Sequence, residues 1–157
     1  MHIQMRFWRL ASLALLIIVP ITANAAVCEV SSSSISFGFY DPLTSQARDS
    51  NTNIQVSCSG SNETVSFSLM ATSGYGTFAS RQAHSGSMLL AYNLFIDVGR
   101  TQIWGDGTGG TVVIQDSLTI SSTPVTKSYV IYGRIPGQQS STTAATYSDD
   151  LTVTMRY

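Results

Sequence analysis

Apolar side chains recur at every second position along most of this chain. Ile35, Phe37 and Phe39 alternate with Ser36 and Gly38. Ile54, Val56 and Cys58 repeat the pattern, as do Val65, Phe67 and Leu69. Leu90, Tyr92, Leu94 and Ile96 form a longer row. Leu118 and Ile120 follow, then Tyr129, Ile131, Gly133 and Ile135. Leu151, Val153, Met155 and Tyr157 alternate up to the last residue. A period of two places one set of side chains on one face of a strand. The residues between are largely Ser, Thr, Gln and Asn, so the opposite face is predicted to be wet.

Turn chemistry separates these runs. Asp41-Pro42, Ser59-Gly60, Ser73-Gly74, Gly105-Asp106-Gly107, Gly109-Gly110, Thr123-Pro124 and Pro136-Gly137 all punctuate the pattern. Beyond position 25 no ten-residue stretch has helical period with caps. About seven short strands predict an all-β protein, an immunoglobulin-like β-sandwich, with a closed β-barrel as the alternative. A terminal strand at a sheet edge leaves unpaired N–H and C=O groups that something should cover.

The first 25 residues follow another rule. Arg6 and Arg9 precede an apolar run from Leu10 to Val19, and Ala23-Asn24-Ala25 supplies small residues around a cleavage point. This is the layout of a secretory signal peptide, so residues 1–25 are predicted to be removed and 26–157 to form one domain. Export places Cys28 and Cys58 in an oxidising compartment, where an even count predicts one disulfide. Its loop is worth roughly 3–4 kcal/mol in the chain-entropy account.

Composition excludes other classes. Eight Lys+Arg against nine Asp+Glu give a net charge of −1, so no basic surface exists for nucleic acid. Beyond position 25 there are 23 Ser and 16 Thr, a polar but uncharged composition suited to exposed strand faces. His84 is the one histidine outside the leader, in a Gly/Ser-rich stretch read as an exposed loop. No Gly-x-Ser-x-Gly elbow is present, and no Ser-His-Asp site is predicted. Asp106 and Asp116 are too sparse for a calcium loop. No catalytic residue, metal, cofactor or small-molecule substrate is expected. Asn62-Glu63-Thr64 matches a glycosylation sequon, a pattern common by chance. Aromatic residues such as Trp104 and Tyr92 suit strand cores. Tyr75 and Phe78, flanked by glycines, are the candidates for an exposed surface contact.

Several ordered segments carry a family resemblance. Cys28 is followed by Ser36-Phe37-Gly38-Phe39-Tyr40-Asp41-Pro42, then Ile54-Gln55-Val56-Ser57-Cys58. Tyr92-Asn93-Leu94-Phe95, Trp104-Gly105-Asp106-Gly107-Thr108 and Tyr132-Gly133-Arg134-Ile135 come next. Tyr147-Ser148-Asp149-Asp150 and the closing strand complete the set, with Ala145-Thr146 in place of a usual glycine. The chain resembles the spore coat protein U domain family, whose better-understood members are subunits of archaic chaperone–usher pili.

The resemblance implies an incomplete immunoglobulin-like sandwich of pilin type, missing its last strand. It implies a groove filled first by a periplasmic chaperone. At an outer-membrane usher, a strand from a neighbouring subunit then replaces the chaperone. Ile35, Phe37, Leu151, Val153, Met155 and Tyr157 are the residues expected to line that groove or its edges. The implied setting is the periplasm, then a cell-surface fibre serving adhesion and biofilm.

Donor strands in such pilins precede the first cysteine, where only Ala26 and Val27 would remain here. At roughly 3.3 Å per residue they cannot cross a neighbour's groove. The chain is therefore expected to accept a strand without donating one, as a tip or minor initiating subunit, or to fill its groove from within. A self-contained spore-coat or cell-surface structural protein and a secreted carbohydrate-binding sandwich are the alternatives.

Overall fold

The computed structural model describes residues 25–157. The signal-peptide reading of 1–25 therefore lies outside the described residues, Ala25 excepted. Alternation becomes eight strands: β1 (Val27–Ser32), β2 (Arg48–Ser59), β3 (Glu63–Ala71), β4 (Arg81–Ser85), β5 (Met88–Phe95), β6 (Ile114–Ile120), β7 (Val125–Ile135) and β8 (Val153–Arg156). They form a five-stranded sheet, β1-β2-β7-β5-β4, and a three-stranded sheet, β6-β3-β8. Every strand pairing is antiparallel. Two separate sheets make this a sandwich and remove the closed barrel.

The inward rows are those the alternation marks. Ile54, Val56 and Cys58 face Phe67, Leu69, Leu118 and Ile120 across the core, and all are buried. Leu90, Tyr92, Leu94, Ile131 and Ile135 complete the larger sheet's inner face. Trp104 is 2% exposed, and its indole N–H donates to the Leu69 carbonyl at 3.1 Å, tying a connecting loop to β3. Cys28 and Cys58 are direct cross-strand partners in the β1–β2 ladder and are joined as a disulfide. β4 and β5 are linked by Gly86 and Ser87. Gly86 has φ 60°, a conformation glycine reaches without steric cost.

Several expectations are corrected here. The first strand lies at Val27–Ser32 rather than 34–39, because Val30 and Cys28 continue an alternation that the serine run hides. Gly38, at φ 67°, breaks the 35–37–39 row, and Phe39 is left 85% exposed. His84 lies in strand β4 and not in a loop, with its backbone paired to Leu89 and bridged to Ser148. β4 itself has no alternating apolar row to announce it.

Candidate functional site: an open cleft beside the last strand

β8 ends the three-stranded sheet. Its partner is β3, in the register Leu69↔Met155 and Ala71↔Val153. Among the described residues no strand pairs with its other edge. Leu151, Val153 and Met155 face the core but stay half-buried, whereas inward residues of β3 are buried. Ile35 and Phe37, in the segment that follows β1, are likewise half-buried against the core. Tyr157 is 61% exposed. The Cys28 N–H donates to its hydroxyl at 3.5 Å, so β1 and the end of β8 meet there.

Residues 33–37 belong to no ladder beyond Ser33 N–H→Asn53 O at 3.4 Å. They are held by side chains from β2. Thr52 donates to the Ser33 carbonyl at 2.8 Å, Ser50 to Ser36 at 2.6 Å, and the Arg48 Nε–H to Phe37 at 2.8 Å. Arg48, Ser50 and Thr52 continue the inward phase of Ile54, Val56 and Cys58 with polar side chains, because they face a backbone rather than apolar side chains. That in-phase change from polar to apolar was the signal available in the sequence.

Gly133 lies beneath this segment. A Cβ there would stand 2.5 Å from Ile35 Cδ1 and 2.6 Å from Phe37 Cζ, so the absence of a side chain makes room for both. Beyond Phe37, Tyr40 donates to the Pro136 carbonyl at 2.7 Å. A cleft of ≈ 580 Å³ opens here between 35–42 and 142–147, with Leu90 as part of its lining.

The facing segment is held by Asp149. Its carboxylate accepts the Tyr75 N–H at 3.0 Å and the Tyr92 hydroxyl at 2.6 Å. Burial and then the bond to Asp149 push the Tyr92 hydroxyl well above its ordinary pKa, so it remains a donor. Asp149 was in a quoted motif, but nothing in the chain order pointed to Tyr92 as its partner.

Tyr75 is 55% exposed, with its ring 5.5 Å from that of His84. Phe78 is half-buried, and the Arg81 guanidinium lies 5.3 Å from its ring centroid, so it is partly committed to the interior. Among the described residues no cluster of His, Cys, Asp and Glu could hold a metal ion. Asp106 serves its own turn, accepting from the Thr108 N–H at 2.9 Å and hydroxyl at 2.6 Å.

The Spore Coat Protein U domain family model matches residues 15–154. The fold is shared with a chain in the crystal structure of the CsuC–CsuE chaperone–tip adhesion subunit pre-assembly complex from archaic chaperone–usher Csu pili of Acinetobacter baumannii. The TM-score is 0.56 at 17% identity, covering 85% of this chain and 40% of that one. Among curated proteins none matches this sequence.

Proposed function

The chain belongs to the Spore Coat Protein U domain family, and from that premise we propose that it is an exported subunit of a chaperone–usher pilus, accepting a β-strand from another molecule. The observation that carries this is the half-buried state of Ile35, Phe37, Leu151, Val153 and Met155 beside the core, together with the unpaired outer edge of β8 among the described residues. An inserted strand would bury both rows and pair with β8, combining main-chain hydrogen bonds with alternate side-chain contacts. Charge contributes little, since both rows are apolar.

In this reading a periplasmic chaperone occupies the cleft first, and an outer-membrane usher exchanges it for a neighbouring subunit at the cell surface. Residues 1–25 direct export and 26–157 are the working domain. With cleavage after Ala25, Val27 is already paired with Ser59, leaving no free segment ahead of Cys28 to enter a neighbour. Such a subunit accepts without donating and takes the distal end of a fibre. Tyr75 is the proposed adhesive contact, with Phe78 behind it. No catalytic role is assigned.

Co-expression in a bacterial periplasm with an archaic-type pilus chaperone tests this. A one-to-one complex is expected, and Val153→Asp with Met155→Asp abolishes it, because a strand pressed over them would bury unpaired charge. A stable, unaggregated monomer that takes up no chaperone would falsify the strand-accepting role. Self-polymerisation through the chain's own N-terminus overturns the distal position.

A further inference from the structure

One side chain ties one wall of the cleft to the residue that anchors the other. Tyr92 in β5 is 5% exposed. Its ring meets Phe37 edge-on, centroids 6.2 Å apart at 63°, and Phe37 belongs to the 33–37 wall. Its hydroxyl donates to Asp149 at 2.6 Å, two residues beyond the facing wall at 142–147. Neither wall is fixed by a full ladder where Tyr92 reaches it. Residues 34–37 hang on β2 side chains, and residues 149–151 lie between the Ser148–His84 bridge and the bonds that Thr152 exchanges with Thr72.

We propose that Tyr92 is a positioning residue that sets the width of the cleft, its ring seating one wall and its hydroxyl anchoring the other. This rests on the strand-accepting reading above. A cleft whose flanking segments are already tied together before a partner arrives lowers the ordering cost of insertion. Asp149 is the second half of the device. Its other oxygen accepts the Tyr75 N–H, and Gly74 packs so close that any side chain there would collide with the carboxylate. Hydroxyl and carboxylate therefore meet in one fixed geometry. Arg81, also buried, adds a favourable charge near both groups.

The test uses amide hydrogen exchange and limited chymotrypsin cleavage on the purified protein, then capture of the chaperone. Tyr92→Phe keeps the ring and removes the anchor. Exchange at the hydrogen-bonded Ser148 and Thr152 amides that flank Asp149 should rise about tenfold or more, the effect of losing one hydrogen bond to a charged group, while cleavage after Phe37 is unchanged. Tyr92→Ala should accelerate both. Asp149→Asn keeps an acceptor for the Tyr75 N–H but must donate to the Tyr92 hydroxyl and loses the charge, so its exchange should fall between wild type and Tyr92→Phe.

Tyr92→Phe should also slow chaperone capture. Exchange that rises evenly through all strands, or not at all, overturns the proposal. So does unchanged capture by a variant whose 148–152 segment has loosened. Wild type that fails to hold a chaperone while the local exchange pattern appears overturns the pilus reading and leaves the spacer supported.

Discussion

Arg81 shows what one residue can decide in this fold. It is 0% exposed, yet among the described residues its guanidinium has no carboxylate at ion-pair distance. It donates instead to Asn93 Oδ1 at 2.6 Å, the Trp104 carbonyl at 2.7 Å and the Thr72 carbonyl at 3.0 Å. Three separate backbone or side-chain acceptors, from β5 and two connections, converge on one cation. Desolvation holds its pKa below the ordinary arginine value. Replacement by methionine fills similar volume but strands those acceptors in the interior. Arg81→Met should cost roughly 3 kcal/mol or more, measured by denaturant unfolding; a loss under 1 kcal/mol contradicts the bonding described. An arginine in a polar stretch reads as surface, so neither its burial nor strand β4 was legible before the contacts were known.

At the scale of elements, β1 and the 33–37 wall are one chain with two tasks. The first half is a ladder strand pinned to β2 through Cys28–Cys58, and the second is a wall of the cleft held by β2 side chains. The pairing of these cysteines was legible from count and compartment. The division of labour was not, since alternation runs through Ile35 and Phe37 whether or not a ladder partner exists. Removing the disulfide by Cys28→Ala with Cys58→Ala frees a loop with sequence separation 30 in the unfolded chain. The expected loss is roughly 3–4 kcal/mol, with the wall loosening first. Thermal unfolding of oxidised and double-mutant protein checks it; equal midpoints would contradict the constraint.

For the whole molecule, acid sensitivity follows from four aspartates held below their ordinary pKa. Asp49 is lowered chiefly by its bond from Arg134, Asp116 by Lys127, Asp97 by the Gln102 N–H and Asp106 by the Thr108 hydroxyl. Between the unfolded value, about 3.9, and the lower folded ones, the unfolded chain binds more protons. Their stabilisation is therefore present above about pH 4 and lost as pH falls through the folded values. All four are solvated, so each contribution is small. The melting midpoint should lie roughly 5 °C lower at pH 3 than at pH 6; an unchanged or higher midpoint at pH 3 would contradict the sign.

Period-two alternation and glycine-rich turns determined on their own that this chain is all-β, which faces are apolar and roughly where most strands lie. They work locally, through side-chain direction and backbone sterics, so no tertiary context is needed to read them. Tertiary structure alone decided which edges remain unpaired and that Phe37 and Asp149 both meet Tyr92. Those facts depend on which distant segments are brought side by side, and an alternating strand carries the same pattern at a sealed edge as at an open one.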